Sequence, residues 1–562
     1  MAINQLDEET INRIAAGEVI ERPASVVKEL IENSIDAGAD QIDVLISDGG
    51  RNKIVVEDNG SGMSSDDAQK SILRHTTSKI RDYNDLWSIL TMGFRGEALS
   101  SIASVSKLSI ITKQENEDGV KVECEGGEIK GKKAFAANNG TKIIVNELFY
   151  NVPARKKFLK SRNYEQKQIT DVVSRYAFIH TNKAFTLRND EGVLIEKPKV
   201  ASIKENIAAL YGVDVAKESF IVNKDGVRGR IAKPTINRAS RDYMSVYVNK
   251  RFVKSKIAED AIMDAMKTLI FHDRYPIAVI NLDIEPREVD VNVHPAKRII
   301  KFKDENEIYQ RVFDAVINGM QAADLFSTSK AKPKQHILGE GPEKKEKPKE
   351  SYFQKRNDAQ SFLAVEEEGD YQLDVNIIGQ IHKTYIIIET EEGYSIVDQH
   401  AAEERINYEK LREQYENEKV ERQELLNGYV LELTATEFSS IIENSNVLGE
   451  LGFYFEEFGK NSIILRQIPA TISLEYELKD TILTLLEKVG RNTARDEKKE
   501  ESLKYMACRS SVKAGEELNF KEMKKLIKKL FETNNKYTCP HGRPTMLRYP
   551  LQKLEKDFKR TE

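Results

Sequence analysis

Cys539-Pro-His541-Gly-Arg543-Pro sets a thiol and an imidazole two residues apart in a chain with three cysteines and eight histidines. Beside Pro and Gly, the pair fits a tight loop offering ligands to zinc. It equally fits a cysteine packed as a small hydrophobe and a histidine bonded to a backbone carbonyl. Upstream, Asp398-Gln-His400-Ala-Ala-Glu-Glu404 follows a predicted strand, with Glu409 five residues further on. His400 and Glu404 share a helical face, Asp398 can turn into the same space, and Glu409 falls off that face. MACRSSVKAG adds Cys508. Such carboxylates, imidazoles and thiols suffice for one or two metal ions, and two ions could position a water and neutralise a phosphodiester.

A second constellation lies near the start. Glu29 and Asn33 are one helical turn apart in ELIENSIDAG. An Asn carbonyl can complete a Mg²⁺ shell otherwise made of phosphate oxygens and water. A Glu one turn earlier could polarise an attacking water. A strand then runs into Asp58-Asn-Gly60-Ser-Gly62, where a buried carboxylate could accept the exocyclic amine of adenine. Gly93-Phe94-Arg95-Gly96 precedes a predicted helix start, a place for phosphate. SKI and the NNGT turn, ending at Thr141, add further loops. Each piece has a bland reading as an exposed face, a hairpin turn or a cap. GxxxxGK[ST] is absent from the sequence, so a P-loop is not supported. In NVPARKKFLKSR, Lys156, Lys157 and Lys160 cluster on a turn and helix start. They would face DNA phosphates or form a solvated face.

These residues need elements to hold them. A chain of 562 residues suggests about three to five domains. Between Phe326 and Leu373 the sequence is rich in Lys, Glu and Pro and reads as a disordered linker over 328–370. Before it, a helix pattern up to Ala37 leads into paired strands, forming a first domain over 1–205 that includes a helix near EQKQITDVVSRYAFIH. The pattern restarts in an α/β domain over 206–327. The last block, 371–562, contains an inserted subdomain over about 431–498 with its own helix-strand pattern. A net charge of -5 neither supports nor excludes DNA, because a local basic face suffices. No run reaches membrane-span length, the start has no secretory pattern, and the cysteines have no disulfide spacing. These point to an intracellular, reducing compartment with no membrane association.

INRIAAGEVIERPASVVKELIENSIDAGA, VEDNGSGM, RHTTSKI, TMGFRGEALSSIA, LFYNVPARKKFL and VDVNVHPAKRIIKF occur in this order. The set resembles the GHKL ATPases and, more narrowly, the MutL family of mismatch-repair proteins, over nearly the whole chain apart from the linker. The resemblance implies a multidomain α/β protein: a GHKL Bergerat-type α/β sandwich, a ribosomal-S5-like transducer domain, the flexible linker, and an α/β dimerisation and endonuclease domain. It implies that Glu29 is the general base for ATP hydrolysis and Asn33 the Mg²⁺ ligand. Asp58 would read adenine, supported by Gly60, Gly62 and Thr141. Gly93, Phe94, Arg95 and Gly96 would belong to an ATP lid, and Lys297 in HPAK would reach the terminal phosphate. An arm over residues 1–18 would cross to a second copy when ATP is bound.

DQHAxxExxxxE, ACR and CPHGRP resemble the nuclease motifs of MutL proteins that nick DNA. They imply Asp398, His400, Glu404, Cys539 and His541 as ligands of Zn²⁺ or Mn²⁺, with Asp398 and Glu404 catalytic. Cys508, Glu409 and Arg543 would be ligands or supports. The implied role is ATP-regulated, metal-dependent nicking in mismatch repair; the alternative is an ATP-gated matchmaker whose metal site is structural. Double-stranded DNA, a MutS-type recognition protein, a sliding clamp and a second copy of the chain are the implied partners, in the cytoplasm at the nucleoid. The clamp-binding stretch would be Gln423, Leu425 and Leu426, with Asn427-Gly428 in place of the usual apolar-Pro end.

Overall fold

Pro23–Asp36 forms a helix, α1, because proline stands in its first turn and Val26, Val27, Leu30 and Ile31 recur at core-facing spacing. All four are buried. Gly38, at φ +74°, ends it: its N–H bonds the Ile35 carbonyl and the Ala39 N–H bonds Ser34, a Schellman closure that needs a left-handed residue. The computed structural model describes residues 20–74, 76–79, 92, 96–270, 274–290, 300–325, 376–417, 420–459, 461–472, 478–490, 495–510, 516–558 and 560. The N-terminal arm, the linker, Gly93, Phe94, Arg95 and Lys297 lie outside the described residues.

The chain divides into two compact units, Met1–Leu325 with Arg412–Arg509, and Phe326–Leu411 with Ser510–Glu562. The insertion expected at 431–498 therefore lies in a longer segment that groups with the first unit.

In that unit α1 lies against a mixed sheet of eight strands. They are β1 Gln41–Ser47, β2 Lys53–Asp58, β3 Lys107–Lys113, β4 Val120–Glu125, β5 Glu128–Ala134, β6 Gly140–Asn146, β7 Ala184–Asn189 and β8 Gly192–Lys197, in the order β5-β4-β3-β6-β2-β1-β7-β8. β1 and β7 are parallel and the other pairs antiparallel. β3 alternates buried Leu108, Ile110 and Thr112 with half-exposed neighbours, as a sheet with one covered face requires. α2, Arg162–Ile179, packs beside α1, and its Tyr176 hydroxyl donates to Glu32 Oε1 at 2.5 Å. A second, five-stranded sheet runs Arg251–Val253, Met244–Val248, Ala278–Leu282, Val227–Ala232, Ser219–Lys224. Helices Lys256–Met266 and Glu305–Ala322 contribute Ile262, Met266, Val312 and Val316 to its core.

The second unit holds a four-stranded antiparallel sheet, Asn376–Ile381, Tyr385–Thr390, Gly393–Asp398 and Met546–Pro550. Helix α3, Gln399–Glu416, leaves its third strand directly. Phe520–Phe531, capped by a reciprocal Asn519–Glu522 box, covers the sheet with Met523, Ile527 and Leu530. Within Arg412–Arg509, helices α4, Ala435–Glu443, and α5, Leu478–Gly490, accompany a three-stranded sheet.

The end of α2 carries a pH liability. Buried Lys197 donates to the carbonyls of His180 and Lys183 at 2.6 and 2.5 Å, and burial draws its amine down to about 8. His180, buried beside these amines with Nε2 unpartnered, is pushed down to about 3, burial being the largest cause. The folded state thus binds a proton less readily than the unfolded state, whose histidine titrates near 6.5. Stability from this group is complete above that pH and is lost as pH falls toward 3, at roughly 1.4 kcal/mol per unit at most. Equilibrium unfolding between pH 7 and 5 should show His180→Asn with a shallower loss than wild type; equal slopes would remove His180 as the cause.

Candidate functional site

α1 turns one face to the core and the other to a cavity of about 830 Å³. Glu29, Asn33 and Asp36 enter the cavity from α1, Asp58 from the end of β2, and Thr141 from β6. Gly62 and Gly96 form parts of its wall. Asp58 is held on both sides: Ser34 Oγ donates to Oδ2 at 2.8 Å and Gly60 N–H donates to Oδ1 at 2.9 Å. Burial raises its pKa against these hydrogen bonds. The carboxylate is a fixed acceptor in a cavity whose apolar lining includes Leu30, Val56 and Ile143. Thr112 accepts from Met63 N–H at 2.9 Å and lies 3.1 Å from the Thr141 hydroxyl, tying the glycine turn to the sheet.

The polar end is organised by cations. Lys79 Nζ donates to Asn33 Oδ1 at 3.0 Å and to Asp36 Oδ2 at 2.5 Å. Lys28 Nζ lies 2.9 Å from Glu29 Oε1 and 3.6 Å from Glu32 Oε1. Asp36 Oδ1 accepts from Met92 N–H at 2.9 Å, and Arg251 Nη2, from the second sheet, donates to the Met92 carbonyl at 2.7 Å. Sequence reasoning passed over Lys79, Ser34 and Arg251. SKI had been read only as a turn, and nothing local marks Arg251 as reaching Met92.

The second cluster belongs to the second unit. The Cys539–Arg543 loop closes by Cys539 N–H to the Arg543 carbonyl at 2.8 Å and Gly542 N–H to the Cys539 carbonyl at 2.9 Å. Thr538 and Pro544 bridge its base. Cys539 is buried and His541 half open. Glu404, almost fully buried on α3, stands between two imidazoles: His400 Nε2 and His541 Nδ1 each lie 3.3 Å from one of its oxygens. One ligand atom each from Glu404, Cys539 and His541 lies within 4.8 Å of the others. A carboxylate, a thiol and an imidazole at that separation fit a borderline divalent ion such as zinc.

Other candidates have other employment. Asp398 Oδ1 caps α3, accepting from His400 and Ala401 N–H at 3.0 Å each. Glu409 accepts from Asn534 and Asn535 N–H at 2.7 and 3.1 Å, and Arg405 Nε donates to the Thr538 carbonyl at 2.6 Å. α3 thereby carries two of the candidate ligands and anchors the loop that holds the others. Gln399, fully buried, donates to the carbonyls of Lys383 and Glu516 at 3.0 and 3.1 Å. Arg543 is exposed, and Cys508 ends a helix of the first unit.

Lys156, Lys157 and Lys160 are exposed around the short helix Pro153–Phe158. Gln423 donates to the Ile472 carbonyl at 2.7 Å. Leu425 to Gly428 interrupt the pairing of their strand, and Leu426 is fully exposed.

Three family models match the chain. "Histidine kinase-, DNA gyrase B-, and HSP90-like ATPase" covers residues 20–139, "DNA mismatch repair protein, C-terminal domain" covers 207–321, and "MutL C terminal dimerisation domain" covers 378–518. The DNA mismatch repair protein MutL of Thermoanaerobacter pseudethanolicus is 38% identical over 99% of both chains. That of Clostridium acetobutylicum is 37% identical over 100% of both, and that of Listeria welshimeri 36% over 99% of both.

Gly62 offers a test of the cavity wall. At φ +68° an added Cβ would lie 2.0 Å from the Lys113 carbonyl oxygen, whereas at Gly38, φ +74°, it would meet nothing within 4 Å. Gly62→Ala should cost on the order of 1–3 kcal/mol more than Gly38→Ala, which carries the backbone strain alone. Denaturant unfolding of the two variants measures it, and equal losses would remove the steric role.

Proposed function

The chain belongs to the MutL family of DNA mismatch repair proteins, and we propose that it acts there as an ATP-regulated, metal-dependent enzyme that nicks a DNA strand after a mismatch is recognised. Its N-terminal part is an ATPase domain of the histidine kinase, gyrase B and HSP90 type. The single observation that carries the nicking reading is the cluster of Glu404, Cys539 and His541.

At the nucleotide, Asp58 accepts the adenine amine, with Ser34 and Gly60 fixing the carboxylate's direction. Asn33 offers its amide oxygen to Mg²⁺. Lys79, the cation at that oxygen here, gives way or shares Asp36. Glu29 polarises the attacking water, and Lys28 Nζ lies 2.9 Å from its carboxylate. Gly93 to Gly96 close over the phosphates, and Lys297 reports the terminal phosphate from the second domain. A lysine delivered from another domain ties domain placement to nucleotide state.

At the nuclease cluster, zinc or manganese would activate water and offset phosphodiester charge. Glu404, Cys539 and His541 hold it, while His400 and Asp398 stand at the start of the same helix. Arg543 meets the DNA phosphate. DNA follows the exposed Lys156, Lys157 and Lys160. Leu426 in its bulge offers a weak grip to a sliding clamp, and a MutS-type protein supplies the mismatch signal.

A homodimer is in keeping with the match of residues 378–518 to a dimerisation domain, and the sheet of the second unit offers a face for it. Ile386 and Ile388 point into the core, so Ile387 between them faces the other way. Ile387, Ile396 and Leu547 are consecutive partners across three strands, and Leu547 and Ile378 are 49% and 60% exposed. An apolar sheet face of this kind fits a second copy of itself. With the C-terminal parts held together, the ATPase domains dimerise when ATP is bound.

The rival reading, a matchmaker with a structural metal, is favoured by the use of one Asp398 oxygen as a helix cap. Two experiments decide. Glu29→Ala should leave ATP binding largely intact and lower turnover by about 10²-fold; unchanged steady-state ATPase would exclude the base. The Cys539→Ala, His541→Ala double variant of the full chain should lose bound zinc by elemental analysis, lose nicking of supercoiled plasmid with Mn²⁺, and keep its ATPase. Equal metal in a variant that circular dichroism shows to be folded would end the ligand assignment. Nicking that persists in Asp398→Asn would remove Asp398 from the chemistry.

A further inference from the structure

The segment Arg412–Arg509 meets the ATPase half mainly through charge. α4 lies along α2, where Lys167 Nζ donates to Ser440 Oγ at 3.2 Å. Glu443, at the end of α4, is pushed up by burial and drawn back by the positive potential of Lys167 and Lys160. α5 meets the second sheet's domain: Arg274 Nη2 donates to Asp480 Oδ1 at 2.7 Å, and Nη1 to Thr484 Oγ1 at 3.1 Å. Arg238 Nη2 lies 3.7 Å from Glu437 Oε1. Asn461 donates to the Leu194 carbonyl at 3.0 Å. Among the described residues, Ala435 is the segment's one member of the ATPase hydrophobic core.

Such contacts do not resemble a permanent core. Both carboxylate oxygens of Glu487 are buried without a hydrogen-bond partner, and so is Arg238 Nε. Burial drives the Glu487 carboxyl up to about 8 despite the nearby Arg274 and Arg238. A stable core rarely keeps a buried carboxylate without a donor, because the lost hydration is not replaced. An interface that must open can keep it, since water returns to the group each time the surfaces part.

We propose that Arg412–Arg509 is a displaceable cover on the ATPase half, whose acidic side chains occupy basic groups next to the DNA-facing lysines until a DNA backbone takes their place. This rests on the reading of Lys156, Lys157 and Lys160 as a phosphate-binding patch. Lys160 belongs to that patch and adds to the positive potential at Glu443, and α4 meets α2 at Lys167, so the segment and a DNA phosphate draw on neighbouring cations. A duplex releases condensed counterions on binding and a single carboxylate does not, so DNA wins at low salt.

Zero-length carbodiimide coupling of the full-length protein, read by peptide mass spectrometry, tests the cover. Without DNA, Glu443 should couple to Lys160 or Lys167. A saturating 30-base-pair duplex should lower that yield about tenfold, as expected for direct competition over phosphate contacts. Coupling that is absent without DNA, or unchanged at saturating DNA, overturns the proposal. Arg274→Glu should abolish the coupling and tighten duplex binding about threefold at low salt, although it removes a positive charge. Thr484→Arg, which sets a cation against Arg274, is the second variant and should act alike if Arg274→Glu does not fold. Unchanged or weaker duplex binding by the folded variant overturns the proposal. The patch itself is read separately. If Lys156→Glu, Lys157→Glu binds DNA like wild type while the coupling still responds to DNA, the patch reading fails and the cover stands.

Discussion

The hydrogen bond from Ser34 to Asp58 joins the main N-terminal helix to the sheet, and the nucleotide cavity is the space left by that joint. α1 can offer Glu29, Asn33 and Asp36 to solvent only because Val26, Val27, Leu30 and Ile31 anchor its other side. Burial disfavours the Asp58 carboxylate, and three donors, Ser34, Gly60 and Thr141, oppose it. An acceptor held by several donors cannot rotate freely, so its remaining lone pairs keep their aim. The glycine turn that follows must approach Lys113 closely, which excludes any side chain at Gly62. Helix, strand end and turn therefore depend on one another through a few contacts around one carboxylate.

A common electrostatic habit runs through the sites. Each binding group of opposite charge to its expected ligand is already engaged by the protein. Lys79 donates to Asn33 and pairs with Asp36, and two imidazoles flank Glu404. Engagement of this kind keeps a site folded when empty, and it sets the threshold a ligand must exceed. It also makes occupancy a structural signal, because the displaced group must move. Lys79 and Met92 both bond Asp36, and Met92 is bonded to Arg251 of the second sheet. A shift at Asn33 thus has a short physical route to the neighbouring sheet.

Much of this was legible in the sequence where one residue carries its own reason. The helical pattern read from Asp7 to Ala37 contains α1, which starts only at Pro23, the period-2 runs mark the central strands, and Glu29, Asn33, Asp58, Gly62, Gly96 and Thr141 line one cavity. Reasons that lie elsewhere in the fold were not legible. β5 has no alternation, since all its residues are exposed or nearly so at a sheet edge. In the inserted stretch, where the sequence shows only a general helix-strand pattern, Asn444 ends one helix and begins the next. Glu409 was weighed as a weak ligand, yet its carboxylate binds the backbone of a loop about 125 residues away. Gln399 sat unremarked inside DQHA, although it is the buried clamp between two loops. No spacing rule reports a partner that distant.

Two surfaces of the chain differ in a way that separates permanent from exchangeable contacts. The second unit carries an apolar row, Ile387, Ile396 and Leu547, across three strands on the face away from its core. Water gains nothing by returning to such a row, so a partner once seated stays. The face between α4, α5 and the ATPase half is lined with Glu437, Glu443, Asp480 and Glu487 opposite Arg238, Arg274 and Lys167. Each of those groups is well solvated when the faces separate, so the net free energy of closing is small whatever the area. It also falls as salt or a polyanion supplies other partners. Under the two proposals made above, the apolar row would preserve a dimer while the charged face let the segment leave the ATPase half.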